Sequence, residues 1–308
     1  MIHSGRAIGT VVTALVLLAL PWLLPKFGLN VSLGTQIVLY ALAAASVNVL
    51  LGYTGLMTFG NAAFFGVGAY GSALFAQDVA PNLLLALAVG AVAGLLSAVI
   101  IGPFLIRRRG IYFALLTIAF GQVYYFIAYR WNSVTGGEDG MTIVRPPLFG
   151  HPLSETQFYL LSLLVFALFM SALWVVVHSP FGLTLRAISQ NEQRVRYLGL
   201  NSDRFILFAL AISGLLAGTA GSLYSMSINF AFPLLLDWHQ SGDFVMMVVL
   251  GGSGTLLGPL LGAAIYALGQ NVLSTYTSAW QIYIGGLFVF CVIAFPRGIL
   301  GIRFGARD

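Results

Sequence analysis

The chain has 308 residues, of which 59% are hydrophobic and 7% are charged, and its net charge is +5. Soluble domains carry about 25% charged residues, so this composition excludes a water-facing surface and predicts an integral membrane protein. The one cysteine, Cys291, lies in an apolar run, which excludes a disulfide framework and a cysteine metal site. The arginines are spread over short loops, so the positive charge does not indicate nucleic-acid binding.

Eight apolar runs are long enough to cross, as helices, a hydrocarbon core about 30 Å thick. These runs cover residues 8–25, 35–51, 58–77, 83–106, 111–130, 157–178, 204–228 and 279–296. Glycines interrupt the stretch 243–273, which predicts either two short spans or a re-entrant pair of half-helices. We therefore expect one all-α, polytopic transmembrane domain over residues 1–308, with 8 to 10 transmembrane helices, some of them broken or re-entrant.

The positive charges predict how these spans are oriented. Arg6 precedes an apolar run that lacks a nearby small-residue cleavage site, so we expect a retained first helix rather than a removed signal. With both termini in the cytoplasm, eleven of the 14 lysines and arginines fall on the inner side, as the positive-inside rule requires. Residues 179–204 then form a cytoplasmic loop, and residues 131–156 form a periplasmic loop.

Two glycine-rich segments occupy loosely corresponding places in the two halves of the chain, at residues 51–55 and 250–254. Transporters built from inverted repeats often interrupt helices at matching positions, so we expect an inverted internal repeat. The alternative is that glycines only allow helices to pack closely. We favour close packing for Gly60, Gly66, Gly68, Gly258 and Gly262.

The cytoplasmic stretch 179–204 is the longest polar interruption on its side of the membrane. Asn191 can cap a short helix that ends near Leu198, and Gly199 stands where a left-handed helix stop is expected. This helix carries Glu192, Arg194 and Arg196, with Val195 and Leu198 three residues apart on one face. Such a helix could lie in a groove of another protein; a solvated connector is the alternative.

On the opposite side, residues 131–156 contain the acidic, turn-rich sequence TGGEDG. Gly136, Gly137, Glu138 and Asp139 are candidates for docking a periplasmic protein, and a plain surface turn is the alternative. A calcium loop is disfavoured because the two adjacent carboxylates lack the alternating ligand spacing.

Every Asp, Glu and His falls in a predicted loop or at a span end, which disfavours an ion-coupled carrier, an intramembrane hydrolase and any metal or cofactor site. The single lysine, Lys26, has no phosphate-binding loop around it, so the chain has no ATPase site of its own. Uncharged polar residues in or beside spans either line a pathway or hydrogen-bond between helices. The pathway candidates are Thr54, Thr58, Asn61, Tyr112, Thr117 and Gln122.

Several stretches, in the same order along the chain, resemble the permeases of branched-chain amino-acid ABC importers, and in particular their M-type membrane subunit. Besides 179–199, they are LGYTGLMTFGNAAFFGVGAY from Leu51, RRGIYFALLTIAFGQ from Arg108, TGGEDGM from Thr135, VVLGGSGTLLGPLLGA from Val248 and FPRGILGI from Phe295. The chain departs from the family where Arg194 and Arg196 replace small alanines. A more distant likeness to ribose-type sugar permeases concerns the fold only.

The resemblance implies an ABC importer permease-like fold in the bacterial inner membrane. It also implies a homologous second permease subunit, two ABC ATPase subunits that grip the 179–204 loop, and a periplasmic substrate-binding protein. The implied substrate is a branched-chain or other hydrophobic amino acid, while urea, short-chain amides and aromatic acids stay open. From a different class, a stand-alone secondary carrier or channel would need no ATPase partner.

Overall fold

Ten helices of 14 or more residues build the described part of the protein. A computed structural model describes residues 17–22, 24, 29–148, 150–295 and 298–300. The helices are α1 (Val31–Thr54), α2 (Asn61–Asp78), α3 (Leu83–Leu105), α4 (Ile111–Arg130), α5 (Glu155–His178), α6 (Pro180–Tyr197), α7 (Ser202–Ile228), α8 (Trp238–Gly251), α9 (Gly258–Tyr276) and α10 (Trp280–Ala294). Two short strands, β1 (Met141–Thr142) and β2 (Phe230–Ala231), pair antiparallel.

Within these ranges, six helices are long and apolar enough to cross a membrane, namely α1, α3, α4, α5, α7 and the helix that begins at Trp280. The predicted all-α, polytopic fold is therefore confirmed. The first predicted run, 8–25, lies largely outside the described residues, although residues 17–22 are helical. Both chain termini also lie outside them.

Polar side chains mark where several of these helices begin. Ser154 and Gln157 form a reciprocal capping box at the start of α5. Asn82 and Asn201 accept hydrogen bonds from backbone N–H groups in the first turns of α3 and α7. The mostly buried α1 and α7 form the centre of the bundle, whereas α3, α4, α5 and α10 present much of their apolar surface outward. This apolar outer surface suits contact with lipid.

One end of the bundle is rich in arginine. This basic end consists of residues 106–110, 180–201 and 252–257, and the opposite end contains 131–154 and 229–232. The last turns of α1 reach the basic end, where Asn48 Nδ2 donates to Thr255 O at 2.8 Å and Gly254 N donates to Asn48 Oδ1 at 2.9 Å. The two glycine-rich segments singled out from the sequence therefore touch each other.

Each glycine-rich segment ends a helix and precedes another: 51–55 ends α1 and precedes α2, and 250–254 ends α8 and precedes α9. A longer pattern also recurs, in which a long central helix is followed by an irregular segment and another helix. In the first half these are α1, residues 55–60 and α2; in the second half they are α7, residues 229–237 and α8. Because α1 runs toward the basic end and α7 runs away from it, the two sets have opposite directions, as an inverted repeat requires.

The stretch 243–273 forms two antiparallel helices, α8 and α9, joined by residues 252–257. A Cβ added to Gly262 would lie 1.7 Å from Met247 O, so the backbones of the pair touch. The other four glycines assigned to packing also have no room for a side chain. An added Cβ would lie 2.8 Å from Thr117 O at Gly60 and 2.4 Å from Leu236 Cγ at Gly66. It would lie 2.2 Å from Gly218 O at Gly68 and 2.3 Å from Gly252 O at Gly258. The packing interpretation is confirmed for all five positions.

Candidate coupling and translocation sites

The connection between α5 and α7 is helical almost throughout. Residue Asn191 interrupts α6 with non-helical angles (φ −160°, ψ 96°), so α6 consists of two pieces. Arg194 N donates to Asn191 Oδ1 at 3.0 Å, and Gly199 follows the second piece with φ of 82°. The predicted cap and stop are confirmed. The first piece, 180–190, corrects the expectation of a loop, because Pro180 occupies the first helical turn, where it is tolerated.

The carboxylate of Glu192 is saturated with donors from its own chain. Arg109 Nε donates to Glu192 Oε2 at 2.9 Å, and Arg196 Nη2 and Ser202 Oγ each donate to Oε1 at 2.8 Å. Arg109 also pairs with Asp203 at the start of α7. We call these five residues the clamp; it ties the second piece of α6 to the 106–110 linker and to α7.

The carboxylate of Glu192 stays ionised at physiological pH. Burial disfavours the charged carboxylate of Glu192, but hydrogen bonds from Arg109, Ser202 and Arg196 outweigh this effect and lower its pKa to about 2. Since the unfolded carboxyl titrates near pH ~4.3, the stabilisation is complete above that pH and is lost as the pH falls toward 2. Because Glu192 is partly exposed, solvent screens part of this contribution.

The structure separates two residues that the spacing placed on one face. Val195 is only 3% exposed and packs in the core, whereas Leu198 is 77% exposed. The predicted shared outward face is wrong, because Leu198 is the C-cap residue and has already left the helix, so helical spacing no longer applies. Arg194, Tyr197 and Leu198 form the exposed surface of this segment, which we call the coupling surface.

At the opposite end, glycines shape the acidic turn. Gly136 and Gly137 have φ of 74° and 62°, and a Cβ added to Gly137 would lie 1.8 Å from Asn132 Oδ1. The buried Gly137 therefore shapes the turn and is not itself a docking surface, which corrects its predicted role. Glu138 and Asp139 are exposed on this turn.

Four of the six pathway candidates lie buried among α1, α2, α4 and α7. Asn61 Nδ2 donates to Ser46 Oγ at 2.9 Å and to Ser213 Oγ at 2.7 Å, and it accepts from Thr58 Oγ1 at 3.1 Å. Thr117 Oγ1 accepts from Phe59 N at 3.1 Å. The fourth, Thr54, donates to Leu50 O within α1. All four are at most 3% exposed, which favours hydrogen bonding between helices over direct contact with a substrate.

The other two candidates lie apart from this cluster. Tyr112 is exposed at the start of α4, in the basic half of the bundle, so it does not contact the four buried residues. Gln122 Nε2 donates to Asp237 Oδ1 at 2.8 Å. Asp237 was predicted to lie in an outer loop; it is the N-cap residue of α8 and lies beside the middle of α4. It therefore lies at a helix end, as expected for the ionisable side chains, but this helix end packs against the middle of another helix.

Ser46, Ser213 and Ser241 join the four buried candidates, and we call these seven residues the polar core. The sequence did not single out the three serines as pathway candidates. Ser241 Oγ accepts from Ala62 N at 2.8 Å, so it serves the first turn of α2. Serine is common in packed membrane helices, and periodicity does not show which serines meet a partner. For Asp237 the sequence did contain a signal: an aspartate directly before the apolar Trp238 is typical of a helix N-cap, and so it marks the start of α8.

A cavity of about 660 Å³ opens near the opposite end of the bundle. Its lining consists of Asn30, Val31, Ser32, Gln36, Glu155, Tyr224, Ser227 and Ile228. None of the predicted pathway residues belongs to this lining.

Helices that begin inside an apolar bundle and cluster polar side chains at their starts are typical of membrane transport proteins. That is the class that the fold and its polar core define. Residues 30–294 match the family described as branched-chain amino acid transport system / permease component. The chain belongs to this family of permease components, which are transport subunits rather than enzymes.

Curated relatives extend this match over nearly the whole chain. The high-affinity branched-chain amino acid transport system permease protein LivM of Escherichia coli (strain K12) is 27% identical over 93% of this chain and 73% of its own length. Its counterpart from Salmonella typhimurium is 26% identical over the same shares. The autoinducer 2 import system permease protein LsrC of Yersinia pseudotuberculosis serotype IB is 29% identical over 43% of this chain and 40% of its own. No solved structure matches the chain significantly.

Replacing Asn61 with leucine tests the polar core. Leucine has the same branched shape and number of side-chain heavy atoms, but it removes the donor to Ser46 and Ser213 and leaves the buried Thr58 hydroxyl without its acceptor. We therefore expect a loss of about 2–3 kcal/mol in the free energy of unfolding. The melting temperature in detergent should then fall by roughly 5–10 °C. Asn271→Leu, at an exposed position on α9, is the matched control and should melt like the wild type. Equal melting of both variants would contradict the role assigned to Asn61.

Proposed function

We propose that this protein is a transmembrane subunit of an ATP-driven ABC importer for branched-chain or other hydrophobic amino acids. The family match over residues 30–294 is the observation that carries the proposal. The complex would contain a homologous second permease, two ATPase subunits and a periplasmic binding protein that selects the substrate. The subunit would span the bacterial inner membrane with both termini in the cytoplasm.

The basic end is proposed to face the cytoplasm. Arg107, Arg108, Arg109, Arg194 and Arg196 all lie there, and short loops rich in arginine stay on the cytoplasmic side. The opposite end, with the exposed Glu138 and Asp139, would face the periplasm. After residue 229, the segment 229–237 together with α8 would make one crossing, and α9 and α10 would make two more, an odd number that would return the chain to the cytoplasm.

The coupling surface is where an ATPase subunit would bind. It offers the apolar side chain of Leu198 and the ring of Tyr197 beside the positive charge of Arg194, which suits an apolar groove with acidic residues at its rim. Glu192 serves this contact indirectly, because its carboxylate is already occupied by Arg109, Arg196 and Ser202. Its part is to hold the segment in place.

The clamp would transmit a movement of the ATPases to the helices inside the membrane. A push on the second piece of α6 acts through Glu192 on Arg109, and through Arg109 on Asp203 at the start of α7. The helix α7 runs from there to the opposite end and leads into the irregular segment 229–237. A rigid-body shift of this packed unit would couple ATP hydrolysis to a change in the transport pathway.

Transport in proteoliposomes tests the proposed function. The complex, reconstituted with its second permease, its ATPases and its binding protein, should accumulate leucine, isoleucine or valine only when ATP is supplied to the ATPase side. Accumulation of urea, short amides or aromatic acids, with no uptake of these three amino acids, would reject the substrate assignment. Uptake without ATPase subunits would reject the importer.

Gly199→Val tests the coupling surface. At φ of 82°, valine is strained and should redirect Leu198 and Leu200, so transport should fall at least tenfold while the complex still assembles. Gly150→Val is the matched control, since Gly150 has φ of 83° and, like Gly199, has open space around it, but lies at the opposite end. Transport rates and co-purification with the ATPases are measured. Wild-type transport by Gly199→Val would refute the assignment.

The double variant with Glu138→Lys and Asp139→Lys tests docking of the binding protein. Reversing both exposed charges should weaken the stimulation of ATP hydrolysis by the binding protein at least severalfold, mainly by slowing its association. Asp78→Lys, an exposed charge on α2 away from this turn, should leave the stimulation unchanged. Unchanged stimulation in the double variant would show that the acidic turn does not dock the binding protein.

A further inference from the structure

A hydrogen-bonded pair of side chains, Asp237 and His239, lies at the middle depth of the bundle. Asp237 Oδ2 is 2.6 Å from His239 Nδ1, and Asp237 Oδ1 accepts from Gln122 at 2.8 Å. Gln122 is eight residues from Arg130, the last residue of α4, or about 12 Å along a helix that rises ~1.5 Å per residue. In a hydrocarbon core about 30 Å thick, Asp237 and His239 therefore lie close to the midplane.

The segment 229–237 carries this pair inward from the end of α7. Its last turn, Pro233–Leu236, packs onto α2, where a Cβ added to Gly66 would lie 2.4 Å from Leu236 Cγ. Asp237 then caps α8 by accepting from Trp238 N at 2.7 Å. The hydrogen-bonded pair is held at this depth by contacts with both α2 and α4.

The pair is part of a half-exposed polar face of α8. The side chain of His239 is 71% exposed, whereas that of Asp237 is 16% exposed. Gly242, three residues beyond His239, continues the face along the helix and has open space around it. The exposed side chains of α4 at a similar depth, Val123 and Phe126, are apolar instead.

Lipid cannot accommodate the α8 face. An aspartate at the centre of a spanning helix costs roughly 2.5–3.5 kcal/mol on insertion scales, and such residues face water or protein. The apolar Val123 and Phe126 on α4, by contrast, suit lipid. The two surfaces lie at one depth and differ in polarity, so they face different surroundings.

We propose that this face of α8, formed by Asp237, His239 and Gly242, lines the aqueous translocation pathway. The Asp237 carboxylate would accept hydrogen bonds from the ammonium group of the passing amino acid, and His239 would donate to its carboxylate. Asp237 and His239 already hydrogen-bond to each other, so a bound substrate only replaces this hydrogen bond with equivalent ones. Binding is therefore weak enough for the substrate to be released. This inference rests on the proposed function for the substrate class, but not for the location of the pathway.

Cysteine labelling tests the location. In a Cys291→Ser background, His239→Cys and Gly242→Cys are each assembled into the full complex and treated in proteoliposomes with a charged, water-soluble methanethiosulfonate reagent. We expect both to react at least tenfold faster than Val123→Cys and Phe126→Cys, because the reagent needs water to reach a thiol. Leucine carried by the binding protein should slow the reaction at position 239 during ATP turnover.

The outcomes separate the two proposals. If His239→Cys and Gly242→Cys react no faster than the α4 controls while the wild-type complex imports leucine, the pathway assignment is overturned and the function stands. If they react rapidly but the wild-type complex imports no branched-chain amino acid, the pathway stands and the substrate class is wrong.

Asp237→Asn tests the contact with the substrate. Asparagine still caps α8 and still accepts from Gln122, so the fold is kept, but the carboxylate charge is lost. We expect the rate of leucine uptake to fall at least tenfold, with the complex still co-purifying. Asp78→Asn, which removes an exposed charge at the end of α2, should transport like the wild type. Equal uptake by both variants would overturn the role of Asp237.

Discussion

Two helices of this protein begin inside an apolar layer, and their first backbone N–H groups need partners there. Water is not available to an exposed N–H in the hydrocarbon region, and each unsatisfied group costs several kcal/mol. Side chains supply the partners: Ser241 accepts from Ala62 N at the start of α2, and Asp237 accepts from Trp238 N at the start of α8. Ser241 of α8 thus joins α8 to the start of α2, while α8 itself is capped by the residue that precedes it.

The same arrangement explains why polar residues concentrate at one depth. Asn61 joins α2 to Ser46 of α1 and Ser213 of α7, so the break after α1 is tied to the two most buried helices. Glycines let these helices approach: a Cβ added to Gly68 would lie 2.2 Å from Gly218 O. Close packing therefore brings the polar side chains of different helices within hydrogen-bonding distance at the centre of the bundle.

The clamp and the broken helices lie at the two ends of one helix. Asp203, in the first turn of α7, pairs with Arg109, while the segment that follows α7 carries Asp237 into the bundle. A movement applied at the basic end can therefore reach the midplane through a single rigid element. In the proposed importer, this connection would let partner ATPases act on a pathway that contains no ATPase residue.

The all-α membrane fold can be predicted from local sequence, because hydropathy over about 20 residues is a local property of the chain. The short helix between Asn191 and Gly199 can be predicted in the same way, since its cap and stop depend on neighbouring residues. Long-range contacts, by contrast, place Val195 in the core, bond Asn61 to other helices and bring Asp237 beside Gln122. Such contacts join residues up to 152 positions apart, and the depth of a side chain in the membrane depends on how the connecting segment folds back, which no local pattern encodes.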